Sequence, residues 1–396
     1  MNTPWPFSNS RRDPYRKGRL PLRSLAILSM ASIAVILFLE TVRTVSGDPR
    51  QSEKTAARDV MKTAMQTIKA ERGRLGIPID PMTDPGDTGL IGAAYNDLTT
   101  TAGSLASKST STNPEFAAVV VDMLAEAGVH PGDSVAVSFS GSFPALNIAV
   151  LSAVHAMKIK PVVISSIGAS MYGANFPNLT WLDMERVLFE KGLLPYRSIA
   201  ASLGGIADTR GGLDGTGIDA GFRAIRRNGV PFLEEGGGNT LRADIHRRME
   251  LYDRELGGRK PAAFINVGGP LTSLGNVRGI DRMPTGLLKK IPASRDTDRG
   301  ILFLMGERGV PVLHLLKIRK IAAQYGILFD PVLTQAGFFP DTPTRGRYSK
   351  PLAFTGLALL LLVLLVLLLR QSYNSNWSFP RKRESKRGLD SGSSPE

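Results

Sequence analysis

Small, polar, glycine-rich turns recur along this chain and carry most of the side chains that could do chemistry. The first turn contains Ser140, Gly141 and Ser142, and it is followed by Pro144 and an apolar helical stretch. A serine between a buried strand and a helix is where some hydrolases hold their nucleophile, although the local pattern SFSGSFP is not G-x-S-x-G. The pattern favours the alternative, in which Ser142 caps the helix or helps to bind an anion at its start.

Further turns, at 165–170, 204–212, 234–239 and 266–269, contain the other candidates for a ligand site. Together the turns offer hydroxyls, backbone N–H groups, carboxylates, a guanidinium and amides, a mixture typical of a polar pocket. A parallel sheet would use the same glycines and serines simply to make tight turns. The predicted ligand-binding residues are Ser140, Gly141, Ser142, Ser165, Ser166, Gly168, Asp208, Arg210, Glu235, Gly237, Asn239, Asn266, Gly268 and Gly269.

Two acids in these turns support a second kind of chemistry. Asp208 and Glu235 could act as a carboxylate pair in acid–base or cation-assisted hydrolysis. The candidate catalytic residues are therefore Ser142, Asp208 and Glu235. The pattern favours a simpler interpretation, in which these acids form salt bridges with a neighbouring arginine such as Arg210.

The composition excludes several classes of chemistry. The chain has no cysteine, which excludes disulfides and thiolate catalysis, and its 4 histidines lack the spacing of a metal site. We therefore predict no metal site and no cofactor. Much of the formal net charge of +14 lies in residues 1–23 (six basic, one acidic) and 370–396 (six basic, three acidic). The middle of the chain is only mildly basic, so nucleic acid is not a predicted partner.

A strand–helix–strand unit positions the first two turns. Residues 134–139 form a short, β-branched apolar run, residues 145–157 have apolar residues at helical spacing, and residues 161–167 form a second apolar run. A unit of this length is a right-handed crossover in a parallel sheet, where ligands bind beyond the carboxyl ends of the strands. We therefore expect the turns at 140–142 and 165–170 to lie at one edge of the sheet, and the turns at 204–212, 234–239 and 266–269 to lie at the same edge if the sheet is parallel.

Further apolar runs extend this pattern along the chain. Predicted helices, including one that Thr180 and Asp183 would open as a capping box, separate predicted strands at 196–203, 230–233, 262–267 and 310–315. The alternation predicts an α/β fold, with a mostly parallel sheet flanked by helices and held between two transmembrane helices.

Two long apolar segments, 24–42 and 352–369, are each about the length of a membrane-spanning helix. Arginine and lysine accumulate on the terminal side of both segments, which predicts that both termini are cytoplasmic and that residues 44–350 are periplasmic or extracellular. A cleaved signal peptide is the alternative for the first segment. The predicted location is therefore the cell (inner) membrane, with the lipid bilayer as one partner.

These segments divide the chain into predicted regions. They are a basic cytoplasmic tail (1–23), a first transmembrane helix (24–43), a helical membrane-proximal region with a loop (44–112), an extracytoplasmic α/β domain (113–335), a linker (336–351), a second transmembrane helix (352–369) and a disordered basic cytoplasmic tail (370–396). Within the membrane-proximal region, residues 90–104 are predicted to be helical.

Several long segments, in the turns and elements above, resemble the poly-γ-glutamate system protein family. They are SFSGSFPALNIAVLSAV (138–154), SSIGASMYGANFPNLTWLDME (165–185), GGIADTRGGLD (204–214), FLEEGGGNTLRADI (232–245) and FINVGGPLTSLG (264–275). The resemblance covers most of residues 50–330 and includes the first apolar segment. It implies a role beside the membrane machinery that makes and exports poly-γ-glutamate. The implied partners are membrane subunits of the synthase and the polymer, or another carboxylate-bearing ligand. The resemblance assigns no catalytic residues.

Two main functional hypotheses follow. The first is a membrane-anchored accessory protein of poly-γ-glutamate synthesis or export, which binds polymer or a partner subunit through the glycine- and serine-rich edge of the sheet. The alternative is an extracytoplasmic hydrolase or transferase that acts on γ-glutamyl amide bonds. Ser142 or the pair Asp208 and Glu235 would act there, with turn N–H groups as an oxyanion site. A third hypothesis is a structural scaffold whose two spans pair with a membrane subunit.

Overall fold

The structure, a computed structural model, describes residues 21–45, 48–205, 210–233, 241–276, 283–292, 299–330 and 350–376. The helices in these ranges are α1 (Leu22–Val45), α2 (Gln51–Arg74), α3 (Leu105–Ser111), α4 (Glu115–Glu126), α5 (Pro144–Ala156), α6 (Trp181–Glu190), α7 (Gly215–Arg227), α8 (Leu241–Glu255), α9 (Leu271–Leu274), α10 (Ile301–Glu307), α11 (Ile318–Tyr325) and α12 (Lys350–Asn376). The strands are β1 (Thr99–Thr101), β2 (Ser134–Ser140), β3 (Lys160–Ser166), β4 (Ala169–Ser170), β5 (Asn175–Phe176), β6 (Leu179–Thr180), β7 (Ala200–Ser202), β8 (Phe264–Val267), β9 (Gly286–Leu288) and β10 (Val312–Leu315).

The chain divides into two compact units, one of residues 1–48 with 344–396 and one of residues 49–343. The first unit contains α1 and α12, and both helices are long and apolar enough to cross a membrane. These two helices pack against each other, and a Cβ atom on Gly356 would lie 2.8 Å from Cγ1 of Val35. A glycine at this point of α12 therefore permits a close helix–helix contact.

The second unit is built on a six-stranded sheet in the order β7-β3-β2-β8-β10-β9. Neighbouring strands are parallel except β10 and β9, which are antiparallel. The predicted unit β2–α5–β3 is present, and the mostly parallel sheet is confirmed. The predicted strand at 196–203 is confined to β7, and the one at 230–233 is an isolated parallel bridge between Phe232 and Ala201.

Side chains alternate between the two faces of the sheet along each strand, so both faces carry apolar side chains. Helices pack against both faces. Val137 and Ile265 face a core that includes residues of α2, α4, α5, α6, α7 and α11. Ala136 and Phe264 face a second core built with α8, α9 and α10. The prediction of a sheet flanked by helices is therefore confirmed.

The helix α5 is buried along almost its whole length, from Pro144 to Val154. Its apolar spacing predicted one buried face, but α2 and α4 pack against it in addition to the sheet. Met61 and Ile68 of α2 lie in the same core as α5. Residues 44–112 therefore include a helix that completes the α/β core, whereas the sequence analysis separated them as a membrane-proximal region.

The predicted helix over 90–104 is wrong. This stretch contains β1 and no helix, and α3 begins only at Leu105. The threonines of β1 are β-branched and favour a strand, and β4 supplies the partner, with Thr99 opposite Ala169 and Thr101 opposite Ser170. This pairing joins segments far apart in the sequence, so local apolar spacing gave no sign of it.

The strand order places a topological switch point between β2 and β8. From β2 the chain continues outwards through β3 and β7, and it then returns to β8 on the other side of β2. The connection after β2 leads into α5 on one face of the sheet, and the connection after β8 leads into α9 on the other. In open α/β sheets this divergence leaves a crevice, beyond the carboxyl ends of the strands, in which ligands bind.

Candidate functional site

The turns after β2 and β8 meet at the switch point. Gly268 has a φ of 89°, and a Cβ atom there would lie 2.4 Å from Oγ of Ser140 and 3.9 Å from Cβ of Ser142. The Ser140 hydroxyl donates to the carbonyl of Val267 (3.2 Å), which ties the two strand ends together. The expectation that these turns share one edge of the sheet is confirmed, and glycine at 268 is what permits their close approach.

The segment after β3 folds back over the turn after β2. A Cβ atom on Gly141 would lie 2.5 Å from the carbonyl oxygen of Ile167, so only glycine fits there without a shift of the backbone. The N–H of Ser170 donates to Oγ of Ser142 (3.0 Å). The helix α5, whose N-cap residue is Phe143, has no side-chain cap. The interpretation of Ser142 as a helix cap is therefore wrong, because its hydroxyl binds β4 instead.

A lysine that sequence analysis did not single out lies beside these turns. Lys108 of α3 is only 2% exposed, and its ammonium group donates to the carbonyl of Ser142 and to Oγ of Ser170 (Nζ to Oγ, 2.8 Å). The same Nζ atom lies 3.7 Å from the centre of the Phe143 ring. We call Lys108, Ser140, Ser142, Ser170 and Gly268 the switch-point site.

The protonation of Lys108 is unusual. Burial lowers its pKa from 10.5 to about 7, because the charged ammonium loses its hydration. Among the described residues, no carboxylate forms an ion pair with it. Near neutral pH this lysine is therefore present both as an ammonium and as an amine. A perturbed lysine in a crevice is a mark of functional sites.

The sequence around Lys108 does not identify it as a site residue, for a physical reason. It stands in the polar stretch Ser107–Ser111, which has no apolar stripe and no motif around it. Its burial results from the pairing of β1 with β4, which brings Ser170 to within hydrogen-bond distance. The one local signal is a lysine inside a run of small hydroxyl residues, a composition that suits a crowded interior as well as a solvated loop.

Asn266 lies at the switch point, as predicted, but its side-chain amide forms hydrogen bonds within the protein. Its Nδ2 atom donates to the carbonyl of Gly268 (2.8 Å) and bonds Nδ1 of His314 (2.9 Å). Burial and the nearby Lys317 lower the pKa of His314 to about 4, so its imidazole is neutral. Asn266 therefore holds the turn after β8 in place.

The predicted serines at the end of β3 also form internal contacts. Ser165 Oγ lies 2.7 Å from Oγ of Ser198, whose hydroxyl donates to Glu185. Burial raises the pKa of Glu185 to about 7. Ser166 Oγ lies 3.2 Å from Oγ of Ser202. Both serines therefore belong to buried hydroxyl networks within the sheet edge.

Gly168 lies beside the turn after β2, where a Cβ atom on Gly141 would lie 3.2 Å from its carbonyl oxygen, and Arg210 contacts an aromatic ring. A Cβ atom on Gly168 would lie 2.9 Å from Cγ2 of Thr100, so glycine permits close packing there. The Arg210 guanidinium lies over the ring of Phe222, 5.5 Å from its centre. Gly269 continues the turn after β8, next to Leu316.

The remaining candidates lie outside the described residues. These are Asp208 in the gap at 206–209, and Glu235, Gly237 and Asn239 in the gap at 234–240. The hypothesis of a carboxylate pair therefore stays a prediction. Within the described ranges, no group of three His, Cys, Asp or Glu side chains could hold a metal ion.

The described chain is thus an α/β unit with a candidate site at its switch point, together with two helices apolar enough to cross a membrane. In comparisons with family models, curated proteins and solved structures, nothing matches this chain.

Proposed function

We propose that this chain is a membrane-anchored accessory protein of poly-γ-glutamate synthesis or export. It binds carboxylate groups of the polymer, or of a partner subunit of the synthase, at the switch-point site. The observation that carries this proposal is Lys108, a buried lysine at the carboxyl edge of the sheet with no carboxylate partner among the described residues. The resemblance of the turn segments to the poly-γ-glutamate system family supports the choice of polymer.

The electrostatics of the site favour an anion. A bound carboxylate would supply the counter-charge that the Lys108 ammonium lacks and would raise the pKa of this lysine. The helix α5 starts immediately after Ser142 and Phe143, both of which Lys108 contacts. Because α5 has no side-chain cap, the N–H groups of its first turn add a positive field at the same place.

Within the switch-point site, Ser142 is the residue most exposed to solvent. Ser142 is half-buried, whereas Lys108 and Ser170 are buried behind it. A ligand carboxylate would approach past Ser142 and reach the lysine beyond it. In poly-γ-glutamate the free carboxylate is attached directly to a carbon of the polymer backbone, so a carboxylate that reaches Lys108 would bring the adjoining backbone close to Ser142.

Polymer binding is expected to weaken as the pH rises. The free groups of poly-γ-glutamate are α-carboxylates, with an ordinary pKa of about 3.3–3.7, and they stay ionised above about pH 6. Lys108 must be protonated to bind them, so binding takes up a proton and is lost as the pH rises above the raised pKa of the bound state. The measurement is titration calorimetry of the full chain in detergent micelles with poly-γ-glutamate, between about pH 6 and about pH 9.

Two lysine variants make this experiment specific. Lys108→Met is expected to weaken binding about tenfold or more, since it removes a charge-assisted hydrogen bond. Lys320→Met is the matched control, because Lys320 is exposed on α11, which packs against α3. Equal binding by the wild type and Lys108→Met, with no pH dependence, would contradict the proposal.

We also propose that α1 and α12 cross the cell (inner) membrane, with both termini in the cytoplasm and residues 44–350 outside. The arginines and lysines beyond the two apolar segments support this orientation. Alkaline phosphatase fused after Arg50 is expected to be active, because this enzyme works only outside the cytoplasm, and the same fusion after Glu396 is expected to be inactive. The reverse pattern would overturn the orientation.

A further inference from the structure

The contact between Ser170 and Lys108 has the arrangement of a nucleophile with its base. The Ser170 hydroxyl lies 2.8 Å from Nζ of Lys108, within the reach needed for proton transfer. The strand pairing of β4 with β1 and the bond from the Ser170 N–H to Ser142 hold the serine backbone in place. A Cβ atom on Gly103 would lie 2.5 Å from the carbonyl oxygen of Met171 and 3.2 Å from Oγ of Ser170, so glycine permits close packing there.

We propose that Ser170 and Lys108 form a nucleophile–base pair that accepts an acyl group from an ester or amide. The nucleophile proposed here is Ser170, whereas the sequence suggested Ser142. The Ser142 hydroxyl oxygen accepts a hydrogen bond from the Ser170 N–H. Lys108 contacts only the backbone carbonyl of Ser142, so it could not activate that hydroxyl. The inference goes beyond the proposed binding function.

The proposed reaction conserves protons and bonds. Oγ of Ser170 attacks the carbonyl carbon of the substrate while its proton passes to the neutral amine of Lys108. The tetrahedral intermediate collapses, the bond to the leaving group breaks, and the leaving alcohol or amine takes the proton from Lys108. Water then attacks the acyl–serine ester with Lys108 as the base, and the acid departs as Ser170 regains its proton.

The surroundings of Lys108 suit a base at neutral pH. Burial alone lowers the pKa of Lys108 to about 7, so much of it is a neutral amine. Three elements or segments pack against α3. The charged or titratable groups of α11 and its N-cap are Lys317, Arg319, Lys320 and Tyr325, and α5 has His155 in its last turn. Asp330 also lies nearby, since its N–H donates to Thr110.

The first test uses the full chain in detergent micelles and p-nitrophenyl acetate, an activated ester that needs no polymer. Ser170 is expected to become acetylated, as shown by peptide mass spectrometry, with a rate that rises as the pH rises through about 7. Lys108→Met should abolish the modification. Ser107→Ala is the matched control, because Ser107 lies on α3 next to Lys108 and its hydroxyl bonds Ser104 instead. Absence of both an acetyl group on Ser170 and Ser170-dependent release of p-nitrophenol, or equal reaction in Lys108→Met, would overturn the proposal.

The second test keeps Lys108 in place. The chain has no cysteine, so Ser170→Cys creates a single thiol whose reaction with iodoacetamide can be followed without interference. Beside Lys108 this thiol is expected to titrate well below its ordinary pKa of about 8.5. A midpoint at or above the ordinary value would overturn the pairing. The reactivity of this thiol is expected to rise with pH, whereas polymer binding is expected to fall. A failure of the Ser170–Lys108 proposal can therefore be told apart from a failure of the polymer-binding proposal.

Discussion

Lys108→Met is expected to make the protein more stable, although Lys108 lies at the centre of the candidate site. The folded pKa of Lys108 is about 7 and its ordinary value is 10.5, so the unfolded chain binds the proton more tightly. Below about pH 7 the buried ammonium costs roughly 5 kcal/mol, and this cost shrinks as the pH rises towards the ordinary pKa. Methionine removes the cost and loses the bonds to Ser142 and Ser170, worth about 1–3 kcal/mol together. The expected net gain at pH 7 is about 2–4 kcal/mol.

Chemical unfolding of the full chain in detergent, between about pH 7 and about pH 9.5, checks this expectation. Wild-type stability should rise with pH over this window, and the rise should be largely absent in Lys108→Met. Glu185, whose raised pKa is about 7, affects stability mainly below the window, and Tyr252, whose pKa burial raises above its usual range, affects it above. Lys320→Met should change the free energy of unfolding by less than about 0.5 kcal/mol.

If Lys108→Met is less stable than the wild type at pH 7, Lys108 stabilises the folded protein. A higher stability would mean that the chain retains a destabilising residue at the switch point. Such a residue is expected where function and stability compete. The sign of this stability change therefore bears on both proposals for the switch-point site, without requiring a ligand.

Asp183→Ala is expected to destabilise the protein by about 3–5 kcal/mol. The Asp183 carboxylate is buried and accepts hydrogen bonds from the N–H and hydroxyl of Thr180 (2.8 and 2.7 Å), as the predicted capping box of α6. It also accepts from Nε of Arg227 (2.7 Å) and Nδ2 of Asn228 (2.8 Å), which end α7. Alanine would leave all three partners without their acceptor and would remove the cap of α6.

The comparison with Glu190→Ala isolates the effect of burial. Glu190 pairs with Arg186 on the exposed side of the same helix, so its loss should cost less than about 1 kcal/mol. Unfolding of the two variants and the wild type by urea, followed by near-ultraviolet circular dichroism, measures the difference. A cost for Asp183→Ala no greater than that for Glu190→Ala would contradict the prediction.

The parts of the fold that were predictable are those with strong local patterns. The apolar runs of β2 and β3 with α5 between them predicted a parallel unit, and the turns after β2 and β8 meet as expected. The capping box at Thr180 was also visible, because all its residues are close in sequence.

The parts that were missed depend on contacts between distant segments. The pairing of β1 with β4 creates the environment of Lys108, and no local spacing encodes it. The same pairing gives Ser142 its partner, Ser170, and so replaces the capping role that its position suggested. Arg210 was expected at the ligand site, but its planar guanidinium lies over Phe222, an aromatic residue of the following helix.

The polar side chains along the sheet edge have a consequence for how the strands align. Ser140, Ser166 and Ser202 are register partners across β2, β3 and β7, and Asn266 and His314 are register partners on β8 and β10. Sliding one strand by a single residue would turn its polar side chains into the apolar core on the opposite face of the sheet. It would also bring its apolar side chains next to the polar side chains of the neighbouring strands. These polar side chains therefore favour one register of the strands, and the turns that build the site can meet only in that register.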